Sequence, residues 1–130
     1  MKLKITLLLT YLLTVSMFIS FATGNQCSGI RGGIISFKGT MVKLDAAGIK
    51  ILNQLSIDLN NNPSCNAVIS GNGVSSKVMQ QQSWNRVNAV INFLVEKKGI
   101  DRERFIFMYG GNGDEGKVEF RAATEGEEGP

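Results

Sequence analysis

Residues 66–111 read NAVISGNGVSSKVMQQQSWNRVNAVINFLVEKKGIDRERFIFMYGG and contain two predicted strands joined by a long predicted helix. Short apolar runs rich in strand-forming residues occupy residues 66–70 and 105–109. Between them, apolar side chains recur at helical spacing over about residues 77–98, and Gly99 supplies a C-terminal cap. A strand, a helix and a strand in this order indicate a sheet with a helix packed against it.

The same pattern extends in both directions along the chain. Residues 34–37 form a short predicted strand, and a helix that starts near Leu44 stops before Pro63, because the residue before proline disfavours helical geometry. Residues 117–121 alternate in polarity, which predicts a fourth strand at an edge, whereas the strand at 105–109 is apolar enough to be central. The predicted class is α+β in the order β-α-β-α-β-β. Its mixed four-stranded sheet carries two packed helices, and the glycine-rich loop after the second strand marks a ligand-binding edge.

The first residues have the pattern of a secretory signal. Lys2 and Lys4 precede an uncharged apolar run at residues 5–22, which ends in small residues suited to cleavage. We therefore predict a signal peptide at residues 1–24. A membrane anchor is the alternative, although the run is 18 residues long, just below the ~20 that span a bilayer. A lipoprotein signal is disfavoured because the residues before Cys27 lack the aliphatic and small pattern it requires.

Export changes how the two cysteines are interpreted. Cys27 and Cys65 would lie in an oxidising compartment, where a disulfide persists, and they flank elements that can lie side by side. We favour a disulfide between them over two free buried thiols. The remaining predicted segments are an N-terminal linker at residues 25–33, the domain at residues 34–121 and a disordered acidic tail at residues 122–130.

Composition excludes several classes of chemistry. The chain has 130 residues, of which 43% are hydrophobic and 19% charged, as is ordinary for one globular domain. It contains no histidine, which excludes a Ser-His-Asp triad and histidine-ligated metals, and two cysteines cannot complete a four-ligand zinc site. Without Lys2 and Lys4 the formal charge falls from +3 to +1, too small a basic excess for a nucleic-acid partner. No catalytic residue, metal or cofactor is predicted.

Residues 62–111 resemble the OmpA-like peptidoglycan-binding domain family. The motifs occur in the family's order: an Asn-Pro turn at 62–63, a strand ending in glycine at 68–71, an arginine-containing helix motif at 83–90, a Gly-Ile pair at 99–100 and an Arg-Phe pair at 104–105. The resemblance extends back to Ile34 and weakly forward to Phe120. It implies the same fold that the strand and helix patterns predict.

The resemblance also implies a noncatalytic binding module of the cell envelope, exported to the periplasm or to the periplasmic face of the outer membrane. The family holds the diaminopimelate-containing stem peptide of peptidoglycan. A loop aspartate takes the ammonium group of the ligand, and a helix arginine takes its carboxylate. Arg86 matches the arginine, whose guanidinium grips a carboxylate bidentately. Val74 stands at the aspartate's place, so Asn72, Ser75 or Ser76 would have to accept from the ammonium.

The predicted ligand-binding residues are Arg86, Asn72, Gly73, Ser75 and Trp84. Backbone N–H groups around Gly73 suit an anion ahead of a helix, although such a glycine turn more often only reverses the chain. Trp84 offers a ring to a sugar or a partner, or packs without a ligand. Arg86 alternatively lies in solvent or holds the C-terminal strand. The competing interpretation is a retained fold without a cell-wall ligand, acting as a structural or interaction partner of other envelope proteins.

Overall fold

The computed structural model describes residues 27–127, which contain two helices and a four-stranded sheet. In chain order the elements are β1 (Gly33–Ser36), α1 (Ala46–Asn61), β2 (Ala67–Asn72), α2 (Lys77–Asn92), β3 (Phe105–Gly111) and β4 (Lys117–Ala122). This order confirms the predicted α+β class. The predicted signal peptide at residues 1–24 lies outside the described residues. Within residues 27–127, no helix has the length and apolar character needed to cross a membrane.

The sheet is mixed, and its strand order is β1-β4-β2-β3. β2 and β3 run parallel, with Val68 opposite Ile106, because α2 carries the chain back to the end of the sheet where β2 began. β4 runs antiparallel to both of its neighbours, β1 and β2. The predicted mixed sheet with two packed helices is therefore confirmed.

Two strand positions differ from the prediction. β4, expected at an edge, lies inside the sheet, and β3, expected in the centre, lies at an edge. The alternation of polarity in β4 shows that one face of the strand is buried and the other is exposed, but it does not show whether the strand lies at an edge. Val118 and Phe120 are buried, whereas Glu119 is exposed. The apolar run of β3 continues into Met108 and Tyr109, which are more than half exposed, as an edge strand allows.

Side-chain caps and a glycine set the limits of the helices. Asp45 caps α1 and Ser76 caps α2, each accepting a hydrogen bond from a backbone N–H of the first turn, at 2.8 and 3.2 Å. The α-helical part of α2 ends at Asn92, earlier than predicted, and a π-helical turn at Phe93–Lys97 follows it. The chain then leaves the helix at Gly99, whose φ of 67° favours glycine.

Both helices pack on one face of the sheet. α2 approaches β2 closely at Gly71, where a Cβ atom would lie 2.6 Å from Ser83 Oγ and 2.8 Å from Val87 Cγ2. The largest apolar side chains that are almost fully buried come from both layers: Ile35, Leu52, Leu55, Leu59, Val68, Ile69, Val87, Val90, Leu94 and Val118. The close contact at Gly71 holds α2 against the sheet and so fixes where its polar residues lie.

A disulfide joins Cys27 to Cys65, with the two Cα atoms 5.7 Å apart, which confirms the predicted bridge. It attaches the residues ahead of β1 to the turn ahead of β2. Ile30 is buried in the core as well. The described part of the segment predicted as a linker, residues 25–33, therefore packs against the domain.

The chain after β4 folds back on the domain. Ala122, predicted to begin a disordered tail at residues 122–130, pairs with Ala67 inside the sheet. Arg121 donates two hydrogen bonds to the Glu127 carboxylate, at 2.7 and 2.8 Å, and they hold the pKa of Glu127 well below its usual range. The described part of the predicted tail is thus attached to the domain.

Asp58 links α1 to the residues ahead of β1. Its buried carboxylate accepts a hydrogen bond from Gln54 Nε2 at 3.0 Å and from the Arg31 backbone N–H at 3.4 Å, and it pairs with the Arg31 guanidinium at 3.5 Å. Desolvation raises the pKa of Asp58, but these contacts outweigh it and leave the pKa below its ordinary value. A lowered pKa in the folded state gives stability that is present above about pH 4 and lost as the pH falls through that range.

We therefore expect acidification to destabilise the wild type more than Asp58→Asn. Near neutral pH the variant should be less stable by about 1.5 kcal/mol, and the difference should narrow in acid. Urea unfolding at neutral and acidic pH measures both. Asp114→Asn, which removes an exposed acid paired with Lys117, is the control and should have little effect. Parallel pH profiles for the wild type and Asp58→Asn would contradict the assignment.

Candidate functional site

Three loops meet at one end of the sheet, beyond the carboxyl ends of β1, β2 and β3. We refer to this region, formed by residues 37–45, 73–76 and 112–116, as the loop end. The backbone N–H of Phe37 donates to the Gly116 carbonyl at 2.7 Å and so joins the first loop to the third. Ligands commonly bind beyond the carboxyl ends of parallel strands. The glycine-rich loop that was predicted as a ligand-binding edge lies here.

Arg86 occupies the interior of the loop end. It is 1% exposed, and it reaches from α2 to the first loop. Its Nε donates to the Met41 carbonyl at 3.1 Å and its Nη2 to the Gly39 carbonyl at 2.6 Å, while the guanidinium carbon lies 5.6 Å from the centre of the Phe37 ring. Two guanidinium nitrogens therefore bind the protein's own backbone. The arginine neither extends into solvent nor donates a hydrogen bond to the C-terminal strand, the two alternatives drawn from the sequence.

Glu115 provides an exposed carboxylate at the loop end. Its Oε1 accepts a hydrogen bond from Ser75 Oγ at 2.5 Å. The following residue, Gly116, lies beside the guanidinium, since a Cβ atom there would be 3.7 Å from Arg86 Nη1. Burial lowers the pKa of Arg86, and the charge of Glu115 offsets part of that effect. The loop end thus combines an exposed carboxylate with a fixed, buried guanidinium.

Asn72 and Gly73 contact the third loop and the end of β3. Asn72 is 7% exposed, and its Nδ2 has no hydrogen-bond partner among the described residues. A Cβ atom on Gly113 would lie 2.5 Å from that nitrogen, so the glycine makes room for the amide. Gly73 has a φ of 143° and donates its N–H to the Gly111 carbonyl at 3.0 Å. Both residues therefore shape the junction of β2 and β3.

Trp84 lies apart from Arg86, although only Asn85 separates them along the chain. Residues spaced by two on a helix point to different sides. The Trp84 ring meets Phe107 and Tyr109 of β3 edge to face, with centroids 4.9 and 5.2 Å apart. Of the predicted site residues, the structure brings Arg86 and Ser75 together through Glu115 and places Trp84 elsewhere.

Sequence reasoning missed Glu115 and the first loop because both depend on contacts distant along the chain. Glu115 is 40 residues from Ser75, and Gly39 is 47 residues from Arg86. The one signal in the sequence is an acid that follows a glycine-rich stretch and lies two residues before a strand. Within residues 27–127, no three cysteine or acidic side chains cluster so that they could hold a metal ion.

Solved structures of envelope proteins share the fold of this chain. The chain is similar to the OmpA-like domain of FopA1 from Francisella tularensis, with a TM-score of 0.60 and 17% identity over 71% of each chain. It is similar to an outer membrane protein from Borrelia burgdorferi, with a TM-score of 0.54 and 20% identity over 68% of this chain and 83% of that one. For the periplasmic domain of Helicobacter pylori MotB the TM-score is 0.57 and the identity 13%, over 73% and 78% of the two chains.

These similarities define the chain as a divergent domain with the OmpA-like fold. The resemblance expected from the sequence is therefore confirmed for the fold. No family model and no curated protein sequence matches the chain.

Proposed function

We propose that the protein is an exported, noncatalytic module of the cell envelope that binds the diaminopimelate-type stem peptide of peptidoglycan noncovalently. The observation that carries this proposal is the pair of opposite charges at the loop end, the Glu115 carboxylate held by Ser75 and the Arg86 guanidinium. An amino acid headgroup presents an ammonium and a carboxylate a few ångströms apart, so its recognition needs both signs of charge. Glu115 takes the role that an aspartate at Val74 would have had.

The two charged groups have different roles in this proposal. Glu115 is exposed and accepts from the ligand ammonium directly. Arg86 provides a fixed positive potential. Its guanidinium donates to the ligand carboxylate when the carbonyl groups of Gly39 and Met41 are displaced from it. Residues 38–41 of the first loop are all exposed, so their displacement uncovers the guanidinium without disturbing the core. The first loop is thus the element that must move for full binding.

The predicted export signal and the disulfide support the proposed location. A signal peptide at residues 1–24 and a bridge between Cys27 and Cys65 both suit a chain that leaves the cytoplasm. The similar structures include an outer membrane protein and a periplasmic domain, which supports an envelope location. We place the protein in the periplasm or on the periplasmic face of the outer membrane, where other envelope proteins are further partners.

The burial of Arg86 favours a second candidate function. A guanidinium that is 1% exposed and donates to Gly39 and Met41 stabilises the loop end with or without a ligand. In this alternative the domain is a structural or protein-interaction partner in the envelope and has no cell-wall ligand. The two candidates differ in one measurable property, the affinity of the mature protein for peptidoglycan.

Cosedimentation with purified sacculi separates the two candidates. We expect the wild type to pellet and Glu115→Gln to bind roughly tenfold to a hundredfold more weakly, because a charge-assisted hydrogen bond contributes about 1.5–3 kcal/mol. Asp114→Asn removes the same charge one residue away, where the acid pairs with Lys117 at 3.3 Å, and should pellet like the wild type. Glu115 is exposed, so circular dichroism should show both variants folded.

Each result of this assay has a definite meaning. A wild type that stays in the supernatant would leave the second candidate. Equal pelleting of the wild type and Glu115→Gln would exclude Glu115 as the ammonium acceptor. Equal weakening by Glu115→Gln and Asp114→Asn would show that net charge, and no particular carboxylate, governs the attachment.

A further inference from the structure

A groove between α2 and β3 lies outside the loop end. It is open to solvent, and its volume is about 690 Å³. Trp84 meets the rings of Phe107 and Tyr109 edge to face, with an interplanar angle of 65° in both pairs, so three aromatic rings line one part of the groove. Tyr109 is 54% exposed, and packing in the core therefore does not account for its position.

The polar lining of the groove comes from the first half of α2. Lys77, Gln80, Gln81 and Trp84 follow one another at helical spacing and share one side of the helix. Gln81 donates to Asn85 Oδ1 at 3.0 Å, which orients its amide. The described residues that line the groove include no acid, and Lys77 forms no ion pair within residues 27–127. This lining suits a neutral or anionic ligand that has flat apolar faces and many hydroxyl or amide groups.

We propose that this groove binds an oligosaccharide. Pyranose rings carry C–H faces that pack on aromatic rings through dispersion and the removal of apolar surface from water. Their hydroxyl and acetamido groups match the side chains of Gln80 and Gln81, since a primary amide both donates and accepts hydrogen bonds. None of these residues belongs to the loop end. The inference therefore goes beyond the proposed function and does not depend on it.

An extended peptide is the competing occupant of this region, because β3 at the edge of the sheet offers unpaired backbone groups. A strand added to β3 would draw its affinity from that backbone edge. Such a strand would not require the amides of Gln80 and Gln81 or the ammonium group of Lys77 on α2. The composition of the groove, with aromatic rings from both elements beside the polar groups of α2, favours the saccharide.

Trp84 is the only tryptophan in the chain, so its fluorescence reports on the groove. The probe is chitotetraose, a tetramer of N-acetylglucosamine, and we expect a saturable shift of the emission. Tyr109→Ala should weaken the apparent affinity roughly tenfold or more. Met108→Ala is the matched control, because Met108 is 52% exposed but points to the opposite face of the same strand, and it should bind like the wild type.

Tyr109→Ala also changes the Trp84 fluorescence of the free protein. Calorimetric titration of the same proteins measures binding without relying on that fluorescence. Glu115→Gln should bind chitotetraose like the wild type, which keeps this test separate from attachment through the loop end. Absence of saturable binding at millimolar chitotetraose would overturn the proposal. Equal losses in Tyr109→Ala and Met108→Ala would overturn it too, as would binding of a blocked hexapeptide of alternating threonine and valine in place of the saccharide.

Discussion

Replacing Cys27 and Cys65 with alanine is expected to lower the free energy of unfolding by about 4 kcal/mol. The disulfide closes a loop with a sequence separation of 38 residues, and it restricts the unfolded chain accordingly. A domain of this size is stable by only about 5–15 kcal/mol, so the loss should lower the melting temperature by more than about 15 °C. Urea and thermal unfolding of the mature protein measure the two quantities.

Alanine suits this test because Cys65 is 1% exposed, and serine would bury a hydroxyl group. Arg104 donates to the Cys65 carbonyl at 2.6 Å, a backbone contact that the replacement retains. The wild type unfolded under dithiothreitol should reproduce the value of the double variant. A loss below about 1 kcal/mol would show that the bridge adds little to a segment already held by Ile30 and Arg31.

Arg86→Met is expected to lower the free energy of unfolding by about 3 kcal/mol or more. The variant keeps most of the apolar stem, but it loses the two hydrogen bonds that the buried, charged guanidinium donates to the carbonyl groups of Gly39 and Met41, and a hydrogen bond to a charged group contributes about 1.5–3 kcal/mol. The stability of Arg86→Lys should lie between that of the wild type and that of Arg86→Met, because an ammonium group cannot reproduce the planar fork of the guanidinium. Denaturant unfolding measures all three proteins.

Arg102→Met is the matched control for this experiment. Arg102 is exposed and donates to Asn92 Oδ1 at 2.7 Å, so its replacement should change the stability by no more than about 0.5 kcal/mol. If Arg86→Met were as stable as the wild type, the contacts to the first loop would contribute nothing, and Arg86 would be free for a ligand. Because an Arg86 variant is expected to be destabilised, weak binding by it would not show that Arg86 contacts the ligand. The binding experiment therefore uses variants of Glu115.

Local signals predicted most of the fold. Pro63 ends the first helix and Gly99 lets the chain leave the second, and both act through backbone geometry that a single residue determines. The order of strands is a different kind of property. β4 lies beside β2 because of pairing between Ile69 and Phe120, which are far apart in the chain. Nothing in the sequence around either residue indicates this pairing, so β4 was predicted at an edge of the sheet.

The candidate site was predictable only in part, for the same reason. Arg86 was identified by its place in a helix motif, but its burial depends on a loop more than 40 residues away. The carboxylate of Glu115 is held by a hydrogen bond from Ser75, another contact between residues that are far apart in the chain. Trp84 was expected near the arginine because the two are close in sequence, whereas the turn of the helix directs it toward Tyr109 and the groove.

The most direct test of the proposed function is a titration of the isotopically labelled mature protein with a soluble stem tripeptide that ends in diaminopimelate, followed by nuclear magnetic resonance. We predict saturable shifts at the amides of residues 39–41, at Ser75 and at Glu115, and their loss in Glu115→Gln but not in Asp114→Asn. Shifts absent from these positions at saturating peptide would contradict binding at the loop end and leave the domain as an envelope scaffold.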